Sequence, residues 1–180
     1  MWFQAPDGNQ QAGLLVKRTN GSPYTQMSLM LGGTGTGAIG NGQTIHPFVI
    51  GADGSRWEVH TDADLADGGW HHLALVRPDT GFDPILYVDG QVAAVTFNLN
   101  SGTPPRNVNT TSPWAIGSNG SGSSRFTGMI DEVAMWNVAL SSDNIMWLAN
   151  HSLIELPEPT TFGLLGIGGL LGLFLARRKR

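Results

Sequence analysis

Residues 68–95 read GGWHHLALVRPDTGFDPILYVDGQVAAV, and this stretch decides the fold. From Trp70 to Arg77, large apolar residues such as Leu73 and Leu75 alternate with other residues, the period of two that marks a half-buried strand. A proline, an aspartate and a glycine between positions 78 and 81 then favour a turn.

The second and third runs of this stretch, ILYV at 85–88 and QVAAV at 91–95, are joined by Asp89-Gly90. An Asp-Gly pair between two apolar runs is the strongest short-range signal for a two-residue hairpin turn. Three successive strands connected by such turns form a meander, so the sequence predicts an antiparallel sheet.

Two blocks of the chain resemble the laminin-G-like, concanavalin A-like jelly-roll domains. The first is WHHLALVR at 70–77 with LYVDG at 86–90, and the second is FTGMIDEVAMWN at 126–137 with ALS at 139–141. The resemblance implies an all-β fold, an antiparallel β-sandwich of the concanavalin A-like jelly-roll type over residues 1–152. It says little about activity, because one fold hosts many functions.

Other short apolar runs predict strands at 13–17, 27–31, 45–50, 56–60 and 114–117, and residues 126–136 predict the long closing strand. Ser141 predicts the N-cap of a helix that ends near Ala149. Since the resemblance implies one more strand before Trp2, we expect the domain to lack its first strand and Met1 not to be the true start. The neighbouring strand would then have unpaired backbone groups.

The composition of the 180 residues is that of one domain with a proper core. The absence of cysteine excludes disulfides and thiolate chemistry. The net charge is −4, but four of the ten basic residues stand at 177–180, which leaves six basic against fourteen acidic residues elsewhere. An acidic body lacks the positive surface that nucleic acid requires, so nucleic acid is not an expected partner.

Three parts follow the domain: a linker at 153–159, an uncharged and mostly apolar run at 160–176, and a basic end at 177–180. The seventeen-residue run would span about 25 Å as a helix, slightly less than a hydrocarbon core, and predicts a C-terminal transmembrane helix. The basic end should stay cytoplasmic, which places the domain outside the cytoplasm. The signal residues are Pro157, Glu158 and Pro159 in the linker and the membrane-orienting Arg177, Arg178, Lys179 and Arg180.

This tail resembles the PEP-CTERM sorting signal of Gram-negative bacteria. The resemblance implies an exosortase-type sorting enzyme as a partner, with cleavage near the Pro-Glu-Pro motif. The protein would reside transiently in the inner membrane and then reach the cell surface or the extracellular space. The alternative is a plain anchor that stays attached. Residues 1–4 begin inside a predicted strand and do not resemble a signal peptide, although the domain is expected to be exported.

Catalysis is not expected from the sequence. Glucanases of this fold carry a Glu-x-Asp-x-(x)-Glu run on one strand, but here Met129 takes the place of the first Glu, and no Glu occurs at the last position. Asp131 and Glu132 are adjacent, so on a strand they should point to opposite faces and not flank one glycosidic bond. His71 and His72 are also on opposite faces, and we interpret them as structural.

Asp131 is the one candidate metal ligand, since it is an acid among the apolar residues of the closing strand. The resemblance implies a structural calcium ion at this position. Calcium takes six to eight oxygen ligands, so Asp131 would need backbone carbonyls and other partners. The alternative is an Asp that forms hydrogen bonds with a neighbouring loop.

The six tryptophans suggest a surface that stacks on sugars. We expect Trp70, Trp114 and Trp136 in the core, because they stand in strand patterns, and Trp57 at the surface.

The predicted function is a non-catalytic module that binds a polysaccharide or a surface protein. The alternatives are a structural matrix protein without a specific ligand and, third, a glycan-active enzyme. The loops at 32–42 and 98–113 have no readable ligand specificity.

Overall fold

The computed structural model describes residues 1–7, 10–19, 25–32, 43–78, 83–102, 108 and 110–152. These residues form antiparallel strands and one short helix, as the sequence predicts. The elements in chain order are β1 (Trp2–Gln4), β2 (Ala12–Arg18), β3 (Gln26–Leu31), β4 (Ile45–Ile50), β5 (Arg56–Thr61), β6 (Trp70–Val76), β7 (Ile85–Val88), β8 (Gln91–Val92), β9 (Val95–Ser101), β10 (Ala115–Ile116), β11 (Met129–Asp131) and α1 (Ser142–Leu148).

The strands form two sheets. The first sheet has the order β11-β1-β6-β7-β8, and the second has the order β10-β2-β3-β4-β5-β9. The predicted meander is β6-β7-β8, and the next strand, β9, belongs to the other sheet. Asp89 and Gly90 both have positive φ, 49° and 81°, as a tight hairpin turn of this type requires.

The apolar core lies between the two sheets. Phe3 of β1 and Leu73 of β6 belong to the same buried cluster as Leu14, Leu31 and Ile45 of the second sheet. Each of these five side chains is 1% exposed or less. Side chains alternate between the faces of a strand, so the odd-numbered residues of β1 and β6 face this core and the even-numbered ones face outwards.

The register of the first sheet brings distant parts of the chain into one row. Trp2 is paired with His72 on one side and with Asp131 on the other. Paired residues in neighbouring strands point to the same face, so these three side chains lie next to one another on the outer face. The next outer row contains Gln4 and Trp70.

The helix α1 begins as predicted. Ser141 is its N-cap, and the Ser141 side chain accepts a hydrogen bond from the backbone N–H of Asn144. Ile145 and Leu148 are the buried residues of the helix. The other end of α1 contacts the hairpin turn, since Gln91 donates from its side chain to the sulfur of Met146 at 3.2 Å.

The prediction of a long closing strand at 126–136 is wrong, because the strand covers only Met129–Asp131. Backbone conformation ends it on both sides: Gly128 has φ of 148° and Glu132 has φ of 49°. A non-glycine residue with positive φ is incompatible with an extended ladder, so the chain turns away from the sheet after Asp131.

In the part of the chain that the structure describes, no helix is long and apolar enough to cross a membrane. The predicted span at 160–176, the Pro-Glu-Pro linker and the basic end all lie outside the described residues. Most of the loop at 32–42 also lies outside them.

Candidate ligand-binding cleft

A cleft of about 520 Å³ lies over the outer face of the first sheet. Its floor comes from β1, β6 and the end of β11, and its wall comes from the segment that follows α1. The lining residues are Trp2, Trp70, Asp131, Glu132, Ala149, Asn150, His151 and Ser152.

Two indole rings form the aromatic part of the cleft. The Trp70 residue is 42% exposed, although the sequence pattern predicted it in the core. Trp2 is half-buried, and its ring lies 5.3 Å from the ring of His72, at an angle of 57°. The alternation of β6 is the reason for the error, because Leu73 takes the inner face and Trp70 therefore faces outwards.

Of the other three tryptophan predictions, two are wrong and one is nearly right. Trp57, which we expected at the surface, is 2% exposed and packs with Val49 and Val59 in a second core cluster. Trp136, which we expected in the core, is 44% exposed. Trp114 is half-buried and packs against the main core cluster, which is close to the prediction.

Two carboxylates line the cleft together, contrary to the expectation that they point to opposite faces. Asp131 ends β11, and the positive φ of Glu132 turns its side chain back towards the same side. The Asp131 Oδ1 atom accepts a hydrogen bond from the Glu132 N–H at 2.7 Å. The Glu132 Oε1 atom accepts one from the Ser152 hydroxyl at 2.5 Å, so the orientation of Glu132 is fixed.

The residues after α1 add polar groups to the wall. Asn150 donates from its side-chain amide to the carbonyl of Met146 at 2.7 Å. The His151 ring stacks on Trp147 with ring centroids 4.3 Å apart and an angle of 4°. The His151 Nδ1 atom lies 2.8 Å from the Trp147 carbonyl, so this nitrogen is the donor and carries the proton.

The buried neighbours of the cleft are short of positive charge. Burial lowers the pKa of His72 to about 4, so its imidazole is neutral at pH 7. Among the described residues, neither Lys nor Arg lines the cleft. The cleft is therefore a polar and acidic surface.

Among the described residues, Asp131 is not part of a cluster of side chains that could hold a metal ion. No group of three or more His, Cys, Asp or Glu side chains in the described ranges is placed to hold a metal ion. The exposed Asp131 carboxylate has two oxygens, and a calcium ion takes six to eight. Calcium at Asp131 stays a prediction, and it requires further oxygen ligands besides these side chains.

The two histidines of β6 lie on opposite faces and have different partners. His71 is held between two carboxylates, with Nδ1 at 2.9 Å from Asp89 and Nε2 at 3.2 Å from Asp67. Burial alone lowers the pKa of His71, but the two carboxylates outweigh it and raise the pKa above its ordinary value. Asp89 also accepts from the His72 N–H at 2.8 Å, so this cluster ties the hairpin turn to β6.

The two stacked antiparallel sheets define the class of jelly-roll β-sandwiches. Within that class the chain belongs to the concanavalin A-like lectin/glucanase superfamily, whose family model matches residues 1–146. A second family model, the PEP-CTERM protein-sorting motif, matches residues 155–180. Together they support an exported protein that is sorted by an exosortase-type system and passes through a transient membrane-anchored stage, as is typical of Gram-negative bacteria. No curated protein matches the chain.

Proposed function

We propose that this protein is a non-catalytic carbohydrate-binding module, displayed at the cell surface or in the extracellular matrix after sorting. Its binding site is the cleft formed by Trp2, Trp70 and the residues around them. The ligand is a polysaccharide, and the exosortase-type enzyme is the partner that delivers the domain to the place where it meets this ligand.

The observation that carries the proposal is the pairing of two indole rings with fixed hydrogen-bonding groups in one cleft. Trp70 and Trp2 offer indole faces on which the C–H face of a sugar ring can stack. Asp131, Glu132 and Asn150 offer oxygens and an amide for sugar hydroxyls. A concave surface with apolar area and a few placed polar groups is the usual form of a small-molecule site.

The state of the two carboxylates supports binding over hydrolysis. Glycosidases need one carboxyl as acid and another as base or nucleophile, on either side of the scissile bond. Here Asp131 and Glu132 are sequence neighbours, and one oxygen of each already accepts a hydrogen bond from within the protein. The two carboxylates are therefore suited to accepting hydrogen bonds from sugar hydroxyl groups, which is what a non-enzymatic binding module requires.

The test is a polysaccharide binding screen with the full chain in lipid nanodiscs, followed by isothermal titration with any ligand found. We expect Trp70→Ala to weaken binding at least about tenfold, since alanine removes the stacking surface. The matched control is Trp136→Ala, because Trp136 is equally exposed, at 44% against 42%, but lies outside the cleft.

Three outcomes would contradict the proposal. Absence of binding to every polysaccharide, together with self-association of the protein, would favour the structural matrix protein. Equal weakening by the two tryptophan variants would place the ligand elsewhere. Release of reducing sugars from the bound polysaccharide would show a glycan-active enzyme.

A further inference from the structure

The two carboxylates of the cleft have no basic side chain of the described ranges beside them. Asp131 and Glu132 both line the cleft, whereas no described Lys or Arg does. The ion pairs between described side chains involve neither of the two residues. Two negative charges on neighbouring residues repel each other, and a cation between them relieves this repulsion. The cleft is therefore electrostatically suited to a positively charged ligand.

Each carboxylate keeps one oxygen for a ligand. The Asp131 Oδ1 and Glu132 Oε1 atoms accept internal hydrogen bonds, but Asp131 Oδ2 and Glu132 Oε2 accept none from the described residues. Glu132 is also half-buried, so its carboxylate has lost part of its hydration. A charged donor compensates this loss better than a sugar hydroxyl, because a hydrogen bond between two charged groups is roughly twice as strong as one between neutral groups.

The indole rings of the cleft favour the same ligand charge. Asp131 is the direct neighbour of Trp2 in the ladder between β11 and β1, so the carboxylate and the indole share the outer face. The face of an indole ring attracts an ammonium group that lies within about 6 Å of its centre. The same face packs against the C–H face of a sugar ring. An amino sugar offers both groups, whereas a neutral sugar offers only the C–H face.

The spacing of these groups sets a minimum length for the ligand. Trp70 and Asp131 lie on β6 and β11, with β1 between them, and they are offset by one outer row. From the usual spacings of a sheet, their Cα atoms are about 12 Å apart. This exceeds the length of one sugar unit, so a ligand that contacts both contains at least two units. Since β1 leads towards the Trp70 end of the cleft, any residues before Met1 would continue the strand in the opposite direction, past Leu73.

We propose that the cleft selects a polysaccharide with free amino groups, that is, an amino-sugar polymer that is partly or fully de-N-acetylated. This inference rests on the proposed function and adds the charge of the ligand to it. The C–H face of one sugar unit stacks on Trp70, and the ammonium group of a neighbouring unit lies between the carboxylates of Asp131 and Glu132. A lysine-rich peptide carries the same charge, but it has no sugar ring to stack on Trp70.

The test compares three tetrasaccharides of the same linkage, made of glucosamine, N-acetylglucosamine or glucose, which carry an ammonium, an acetamide or a hydroxyl group at the same position. Isothermal titration uses the full chain in nanodiscs of zwitterionic lipid, which does not attract a cationic sugar, and a mildly acidic buffer that keeps the amino groups protonated. A chelator keeps calcium away from Asp131. We expect the glucosamine tetrasaccharide to bind at least about tenfold more tightly than the other two, since only its ammonium groups form charge-assisted hydrogen bonds with the carboxylates.

Substitutions that remove one charge locate the preference. Asp131→Asn and Glu132→Gln keep the oxygen that accepts the internal hydrogen bond but lose the negative charge. Each should reduce the preference for the glucosamine tetrasaccharide roughly threefold, and the double variant should abolish it. Asp143→Asn is the matched control, because Asp143 is an exposed acid outside the cleft, and it should leave the preference unchanged. Trp70→Ala should weaken the binding of all three tetrasaccharides by a similar factor, since it removes the stacking surface that they share.

Equal binding of the three tetrasaccharides, or an unchanged preference in the double variant, would overturn this inference and leave the proposed function intact. Binding of tetralysine as tight as that of the glucosamine tetrasaccharide, and unaffected by Trp70→Ala, would assign the cleft to a basic peptide. Absence of binding of all three tetrasaccharides would also overturn the inference. The polysaccharide screen then decides separately whether the proposed function fails with it, so the two failures are distinguishable.

Discussion

His71 shows how one side chain connects the turn, the preceding loop and the central strand. Its imidazole contacts Asp89 of the hairpin turn and Asp67 of the loop before β6, and its ring lies 5.8 Å from Phe3 of β1. Both ring nitrogens face carboxylates, so the doubly protonated form satisfies all of these contacts. The raised pKa of His71 follows from this geometry.

Replacement of His71 should have an effect that depends on pH. A histidine whose pKa is raised on folding stabilises the native state below its unfolded pKa of about 6.5, and this contribution is lost as the pH rises through the folded-state pKa. His71→Gln should therefore reduce the free energy of unfolding by about 1 kcal/mol at pH 5.5, because the carboxylates are exposed, and by less at pH 8.5. Urea unfolding at the two pH values measures this. A larger loss at pH 8.5 would contradict it.

At the scale of elements, the contact between β1 and β11 decides where the cleft forms. The pairing of Trp2 with Asp131 places a carboxylate beside an indole, and the turn at Glu132 adds the second carboxylate. Gly128, which precedes β11, packs against β1 so closely that an added Cβ would lie 2.2 Å from the carbonyl oxygen of Gln4 and 2.6 Å from the Phe126 ring. The close approach of these elements therefore requires glycine there.

Alanine at position 128 should separate β11 from β1. Gly128→Ala combines a strained φ of 148° with a clash against backbone, so we expect a loss of about 3 kcal/mol or more. The matched control is Gly122→Ala, where φ is 79° but a Cβ would meet nothing within 4 Å, and we expect about 1 kcal/mol. Chemical denaturation of the two variants measures the difference. Equal losses would show that the packing of Gly128 is unimportant.

On the scale of the whole molecule, the first sheet joins strands that are far apart in sequence. β1 begins at Trp2 and β11 ends at Asp131, yet they are direct neighbours, and β6 lies on the other side of β1. The cleft on their outer face therefore forms only when β1, β6 and β11 have paired in the folded domain. Any ion that stabilises this junction should therefore stabilise the complete domain.

If calcium binds at Asp131, the melting temperature of the full chain should be higher with calcium than with a chelator. The shift arises because an ion that binds only the folded state stabilises that state by mass action. Asp131→Asn should remove most of the shift, whereas Asp143→Asn, in the first turn of α1, should not. Differential scanning calorimetry of the three proteins provides the comparison. Identical melting with calcium and with chelator would exclude this ion site.

The sequence by itself determined the fold class, the meander of β6–β8, the Asp-Gly turn and the N-cap of α1, because local periodicity and turn chemistry control these features. It also carried the sorting signal at 155–180, which is a linear motif. The tertiary structure decided which tryptophans are exposed and which carboxylates share a surface. A shift of one residue exchanges the two faces of a strand, and the pairing of Trp2 with Asp131 depends on contacts between residues far apart in sequence.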